Sequence, residues 1–131
     1  MRYIDISNLP HIGYGAFSNV YRISKNRIIK VYDQDKPADA SEFMIEEIEL
    51  SKKSKYTLPV LDTAIARRGE WHYYAVIKRY IPFEANSNDV KKIEKKLPKI
   101  LREDLKEENV RKDSRNRIYL IDTQGPVALD I

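Results

Sequence analysis

Two runs of β-branched and aromatic residues, SNVYRIS at 18–24 and NRIIKVY at 26–32, constrain the fold most strongly. The dipeptide Lys25-Asn26 marks a turn between them, and the pattern predicts a β-hairpin. The segment DASEFMIEEIELSKKS at 39–54 has helical spacing, with Phe43, Glu47 and Leu50 on one face. A further strand-like run, HYYAVIKRYI at 72–81, follows the turn-like residues RRGE. Residues 1–81 are therefore predicted to form several strands and one helix.

The chain after residue 81 has a different pattern, and the polar segment EANSND at 84–89 suggests a hinge between the two halves. The segment DVKKIEKKLPKILRED at 89–104 predicts a lysine-rich helix that Pro98 kinks or restarts. Its apolar stripe consists of Ile93, Leu97, Ile100 and Leu101. A strand and a short tail are expected in RIYLIDTQGPVALDI at 117–131. This order of elements predicts an α+β fold, with one domain over 1–131 and halves at 1–81 and 82–131.

Composition narrows the kinds of site and partner. The absence of cysteine excludes disulfides and thiolate metal sites, and His11 and His72 are too far apart in sequence to suggest zinc. The net charge is +4, and residues 87–117 hold eleven Lys or Arg against seven Asp or Glu. Because acids interleave with these bases, we expect a solvated helical face and no nucleic-acid partner. The apolar runs are too short to span a membrane and the N-terminus resembles no signal peptide, so we expect a cytoplasmic protein.

Three stretches contain residues suited to chemistry. The segment GYGAFSNVY at 13–21 has two glycines ahead of a strand, a pattern that allows backbone amides to approach phosphate but also suits an ordinary glycine hairpin. Lys30 lies in an apolar strand and Glu47 lies on the apolar face of the next helix. Each charged side chain would therefore provide the ion-pair partner that the other needs. Glu46 is the alternative partner if the helix phase is off by one residue. A solvated lysine and glutamate remain the simpler interpretation of each residue taken separately.

The third stretch is REDLKEENVRKDSRNRIYLIDTQG at 102–125, in which Asp104, Asn109 and Asp122 are five and then thirteen residues apart. DLKEEN followed by YLID resembles the catalytic loop and the metal-binding aspartate of the protein kinase family. GYGAFSNV then resembles the glycine-rich loop of that family, Lys30 its strand lysine and Glu47 its helix glutamate. The five elements occur in the family's order. The resemblance covers residues 9–125 and implies a reduced bilobal fold, with a strand-rich N-lobe and a remnant C-lobe.

The resemblance also implies binding of ATP and Mg²⁺, with a role for each matching residue. Asp104 would orient the substrate hydroxyl and accept its proton, and Lys106 would contact the γ-phosphate. Lys30, held by Glu47, would contact the α- and β-phosphates. The residues that would enclose the nucleotide are Gly13, Gly15, Val20, Ile28 and the backbone of Tyr80 and Ile81. The metal would be held by Asn109 and Asp122. Since Lys106 is typical of the serine/threonine branch, the implied activity is phosphorylation of a protein substrate.

Several departures from the kinase pattern leave a second hypothesis open. Lys78 stands at the position of the gatekeeper residue, where the simplest expectation is a lysine that snorkels to solvent. Ile28 is bulkier than the family's alanine, and Glu103 replaces an arginine. Nine residues follow Asp122, with no A-P-E segment. The alternative function is therefore a pseudokinase that binds a partner protein. Reduced kinases of this kind resemble bacterial effector or phage proteins, so a host cytoplasm is a further expected location.

Overall fold

The computed structural model of this protein describes residues 2–14, 18–33, 37–102 and 105–121. The first part of the chain forms β1 (Arg2–Asp5), β2 (His11–Tyr14), β3 (Asn19–Arg22), β4 (Arg27–Val31), α1 (Pro37–Ser51), β5 (Asp62–Arg68) and β6 (Trp71–Arg79). The second part forms β7 (Phe83–Glu84), α2 (Ser87–Glu94), α3 (Lys99–Arg102), a 3₁₀ turn (Glu107–Asn109), β8 (Val110–Lys112) and β9 (Ile118–Leu120). The fold class is α+β, as predicted.

The first six strands form one sheet in the order β1-β5-β6-β4-β3-β2. Strand β1 runs parallel to β5, and the other neighbours pair antiparallel. The predicted hairpin is present as β3 and β4, with Lys25-Asn26 in its turn. The β5–β6 turn contains Gly69, whose φ of 61° lies in the left-handed region that glycine adopts without steric cost. Strand β4 is therefore flanked on both sides and carries Lys30 in the interior of the sheet.

The main apolar core covers one face of this sheet because side chains alternate along each strand. Ile29 and Val31 of β4 point into this core and are fully buried. The other fully or largely buried members come from neighbouring strands and the segment after β1, and they are Ile6, Tyr21, Ala64, Ala66, Ala75 and Ile77. Lys30 lies between Ile29 and Val31 and consequently points to the opposite face, where helix α1 packs.

Helix α1 lies against that opposite face through a second, smaller apolar cluster. Tyr32 and Val76 contribute from the strand side, and Ala40 and Met44 contribute from the helix. Phe43 and Ile48 pack against this cluster and are partly buried. Glu47 is on the same side of the helix as Met44, one turn further along, so its carboxylate enters the space between α1 and the sheet.

The second part of the chain has its own three-stranded sheet, in the order β7-β8-β9, and a third apolar cluster. Ile93, Leu97 and Leu101 are buried there as predicted, but Ile100 is 57% exposed, so its place in the predicted stripe is wrong. The reason is the break at Pro98. Helix α2 ends at Glu94 and α3 begins at Lys99, and with about 100° of rotation per residue only one of two adjacent residues in α3 faces the core.

The segment that follows helix α1 joins the two sheets. The Leu120 amide donates to the Tyr56 carbonyl at 2.8 Å, and the Leu58 amide donates to the Leu120 carbonyl at 3.0 Å. Leu50 and Tyr56 also pack against the third apolar cluster. Strand β9 is thereby attached to the segment that follows α1, through Tyr56 and Leu58. Among the helices in the described ranges, none has the length and apolar character needed to cross a membrane.

Candidate functional site

The most unusual feature of the molecule is a carboxylate buried between two lysines. Lys30 Nζ lies 2.6 Å from Glu47 Oε1, and Lys78 Nζ lies 2.6 Å from Glu47 Oε2. The exposed fractions of Lys30, Glu47 and Lys78 are 6%, 0% and 1%. The Tyr32 hydroxyl also donates to Oε1, at 3.0 Å, and so adds a further donor to the carboxylate. We call Lys30, Tyr32, Glu47 and Lys78 the buried ionic cluster.

Two sequence periodicities bring these side chains together: the alternation of side chains along β4 and the helical repeat of α1. Alternation along β4 turns Lys30 and Tyr32 towards α1, while Ile29 enters the core on the other face. The phase of α1 buries Glu47 and leaves Glu46 exposed, so the pairing follows the main expectation and not its alternative. Val76 of β6 pairs with Lys30 across the sheet, and it is fully buried beside the helix. The predicted contact between Lys30 and Glu47 is therefore present.

Glu47 is held in its charged form. Burial raises the pKa of Glu47, because it disfavours the ionised carboxylate. The charges and hydrogen bonds of Lys30 and Lys78 outweigh burial and lower the pKa to about 2. The carboxylate is thus ionised throughout the physiological range, and both of its oxygens accept hydrogen bonds from ammonium groups.

Lys78 does not snorkel, and the sequence-based expectation for it is wrong. Besides pairing with Glu47, its ammonium donates to the Ile121 carbonyl at 2.9 Å. Ile28 of β4 pairs with Lys78 across the sheet, and both residues lie on the face that α1 covers. A lysine snorkels only when its ammonium group can reach solvent, and here that group is enclosed by the helix and the end of β9. Lys78 follows the apolar residues AVI, the same kind of signal that indicated burial for Lys30 in its own strand.

The candidate metal ligand Asn109 lies next to the exit of β9. Its backbone carbonyl accepts a hydrogen bond from the Ile121 amide at 2.8 Å, and its own amide donates to the Lys106 carbonyl at 3.0 Å. Lys106 itself is exposed at the start of the 3₁₀ turn. Asp122 follows Ile121 in the sequence. Like Asp104, it lies outside the described residues, so their predicted roles concern positions on which the structure is silent.

Three of the candidate nucleotide residues, Gly13, Val20 and Lys30, lie in one row across three strands. Gly13 pairs with Val20, and Val20 pairs with Lys30, so the three positions are direct neighbours on one face of the sheet. A β-carbon added at Gly13 would meet no atom within 4 Å among the described residues, so packing in this part of the chain does not require glycine there. Gly15, the second glycine of the motif, lies outside the described residues.

The segment predicted to contact adenine already makes backbone hydrogen bonds inside the protein. The Tyr80 amide donates to the Asn26 carbonyl at 2.8 Å. The Ile81 carbonyl accepts from Arg111 Nε at 2.7 Å, which attaches this segment to β8. The guanidinium of Arg22 stacks 4.2 Å above the Tyr80 ring. A nucleotide base would therefore have to use the Tyr80 carbonyl or the Ile81 amide, or replace one of these internal bonds.

Sequence reasoning identified two of the four members of the buried ionic cluster. It missed Tyr32 because an aromatic residue in a strand usually contributes only packing. Over the described ranges, no group of three or more histidine, aspartate or glutamate side chains is arranged to hold a metal ion. No protein-family model matches the chain, and no curated protein shows significant sequence similarity to it.

Proposed function

We propose that this protein is an ATP- and Mg²⁺-dependent serine/threonine protein kinase with a reduced kinase-like fold. The observation that carries the proposal is the buried pair of Lys30 on β4 and Glu47 on α1, at 2.6 Å. Phosphoryl transfer in protein kinases requires an ion pair between a strand lysine and a helix glutamate. Burying a carboxylate completely costs free energy in a small protein. A role of the ion pair in phosphate binding accounts for this burial better than a solvated surface pair would.

The neighbours of Lys30 support a nucleotide site on the same face. Lys30 is adjacent in the sheet to Val20, which is adjacent to Gly13, so a base and its phosphates could lie along one row of residues. Lys30 would hold the phosphates, and Glu47 would fix the lysine in an extended position. Gly13 would let the backbone approach the phosphates closely, since the space beside it is open in the described part of the chain.

The candidate metal ligands suit magnesium chemically. Asn109 and Asp122 would offer amide and carboxylate oxygens, the ligand type that this hard cation prefers. The hydrogen bond between the Asn109 carbonyl and the Ile121 amide holds Asn109 beside the chain that leads to Asp122. Bound magnesium would neutralise charge on the phosphates during transfer. Asp104 would accept the proton of the substrate hydroxyl, and Lys106 would favour a serine or threonine substrate in a protein.

One set of observations favours the alternative, a non-catalytic domain that binds a partner protein. Lys78 fills the interior at the gatekeeper position, and the backbone of Tyr80 and Ile81 is engaged by Asn26 and Arg111. Each of these contacts reduces what the site offers to adenine. A partner would then meet the exposed basic face of α2 and the following segment, which consists of Lys91, Lys92, Lys95, Lys96 and Lys99.

Nucleotide binding distinguishes the two functions. We expect ATP with Mg²⁺ to raise the melting temperature of the parent, because a ligand that binds only the folded state stabilises it. Lys30→Met should lose most of this shift, while Lys92→Met, which changes an exposed lysine, should keep it. Absence of a shift in the parent, or an equal shift in Lys30→Met and the parent, would refute the nucleotide site and favour the binding domain.

Catalysis is tested separately from binding at Asp104. Asp104→Asn preserves the shape of the side chain but removes the carboxylate that would accept a proton. We expect this variant to keep the thermal shift with ATP and Mg²⁺ and to lose transfer of radiolabelled phosphate to a protein acceptor. Transfer at the parental rate would show that Asp104 is not the base.

A further inference from the structure

We propose that Lys78 is a positioning residue, which fixes helix α1 and the chain entering Asp122 at one distance from each other. The catalytic meaning of this inference rests on the proposed function, although the contact itself can be tested without nucleotide. Lys78 belongs to β6, and its ammonium reaches Glu47 of α1 at 2.6 Å and the carbonyl of Ile121 at 2.9 Å. One side chain therefore links its own strand to two other elements, α1 and the end of β9.

Because Lys78 is buried, its two hydrogen bonds tolerate little movement of their acceptors. Lys78 is 1% exposed, so water cannot replace an acceptor that moves away. Breaking one of the hydrogen bonds of an ammonium group in such a place costs free energy, because the buried donor is left without an acceptor. A shift of α1 away from the sheet would separate Lys78 from Glu47, and a shift of the β9 end would separate it from Ile121. The two acceptors thus restrain the helix and the strand end together.

The contacts continue from Ile121 to the candidate metal ligand. The Ile121 amide donates to the Asn109 carbonyl at 2.8 Å, while the Ile121 carbonyl accepts from Lys78. A path of direct contacts therefore runs from Lys30 through Glu47, Lys78 and Ile121 to Asn109. The lysine that would hold phosphate and the residues that would hold magnesium are connected by Lys78. Removing the Lys78 ammonium should therefore affect magnesium-dependent steps more than it affects the contacts that Lys30 makes alone.

Lys30 offers a matched comparison. Lys30→Met and Lys78→Met each remove one ammonium from the same carboxylate, and each leaves the other lysine on Glu47. Methionine is a suitable replacement because it is long, unbranched and apolar. Only the Lys78 change removes the hydrogen bond to the Ile121 carbonyl. A loss of stability common to both variants can therefore be separated from an effect on the position of Ile121.

The first measurement is amide hydrogen exchange at Ile121 by NMR, with no nucleotide present. We expect exchange about tenfold faster in Lys78→Met than in Lys30→Met, the factor that the loss of one hydrogen bond predicts. The second measurement is the Mg²⁺ concentration that gives half of the ATP-induced thermal shift. Lys78→Met should raise that concentration about tenfold or more, as loss of a residue that orients metal ligands does.

Each outcome bears on a different claim. Equal Ile121 exchange in the two variants overturns the positioning role, whatever the protein binds. Faster exchange with an unchanged Mg²⁺ requirement overturns the link to the metal site. A parent without a magnesium-dependent shift overturns the proposed function and the catalytic part of this inference. If Lys78→Met does not fold, nuclear Overhauser contacts between the Lys78 ε-methylene and the Ile121 α-proton in the parent decide the contact, and their absence overturns it.

Discussion

Charged side chains are used differently in the two parts of the molecule. In the sheet region, β1–β6 with α1, Glu47 is 0% exposed and both of its lysine partners are buried, whereas the nearly buried Asp33 pairs with Arg68, whose side chain is 41% exposed. In the hairpin region, β7–β9 with α2 and α3, the two buried acids, Asp89 and Asp113, have basic partners that reach solvent. The side chain of Arg117, which pairs with Asp113 at 2.6 Å, is 55% exposed, and that of Lys112, which pairs with Asp89 at 3.1 Å, is 25% exposed.

The acids of the hairpin region serve the local backbone. Asp113 Oδ1 accepts from the amides of Arg115 and Arg117 and so closes the turn between β8 and β9. Asp89 accepts from the Asn86 amide as part of the capping box of α2. Burial raises the pKa of Asp113, but the hydrogen bonds of Arg117 and Arg115 lower it overall. The amide hydrogen bonds to these acids stabilise a turn and a helix end, and the longer-range pairs with Lys112 and Arg79 come from residues that are partly exposed.

The buried ionic cluster has no such local role. Lys30, Glu47 and Lys78 lie on three different elements, and each loses its hydration completely or nearly so. Replacing buried ion pairs with apolar residues is often neutral or stabilising, so the cluster is a poor device for stability alone. The comparison teaches that position in the fold, and not the number of ion pairs, distinguishes a structural carboxylate from a candidate functional one.

The largest effect should come from removing the charge of Glu47. Glu47→Gln keeps the side-chain shape and leaves Lys30 and Lys78 buried around a neutral amide, which should lower the free energy of unfolding by about 3–5 kcal/mol. Glu46→Gln is the matched control, because it makes the same change at the exposed neighbouring position and should shift stability by less than about 0.5 kcal/mol. Urea denaturation measures both. Similar values for the two variants would remove the distinction between the regions.

The pH dependence of stability should also distinguish the buried ionic cluster from the charged pairs of the hairpin region. The pKa of Glu47 is lowered from 4.5 to about 2 in the folded protein, so its contribution is complete above pH 4.5 and is lost as the pH falls towards 2. A shift of that size corresponds to about 3 kcal/mol. Denaturation between pH 7 and pH 2 should therefore show a smaller acid-induced loss in Glu47→Gln than in the parent. Parallel curves would mean that the cluster does not hold the carboxylate in its charged form.

The smallest effect is expected at the cap of α2 in the hairpin region. Asn86→Ala removes the side-chain acceptor of the Asp89 amide, 3.0 Å away, and should cost about 1 kcal/mol. Asn88→Ala changes the same residue type inside the helix, where alanine is the better helix former, and should not destabilise. Denaturation of both variants tests whether local capping governs this region. A larger loss at Asn88 than at Asn86 would contradict that account.

Part of the candidate site was predictable because it depends on local periods. Alternation in the strand and helical spacing indicated that Lys30 and Glu47 would meet, since either charge alone would be costly in an apolar setting, although solvation remained the simpler interpretation of each residue taken separately. The hairpin at Lys25-Asn26 followed from composition in the same way. Strand β5 was missed although it has seven residues, because its buried residues Ala64 and Ala66 have weak β propensity and pair only once their neighbours are in place.

Lys78 marks the limit of what local pattern determines. By itself, the sequence determined that Lys78 lies in an apolar strand, that Glu47 faces inward, and that Asn109 and Asp122 are close along the chain. Only the tertiary structure decided that β6 lies beside β4, that α1 covers that face, and that the end of β9 meets it there. The direction of a side chain follows from its own strand, but its partners come from long-range contacts between elements, which no local period specifies.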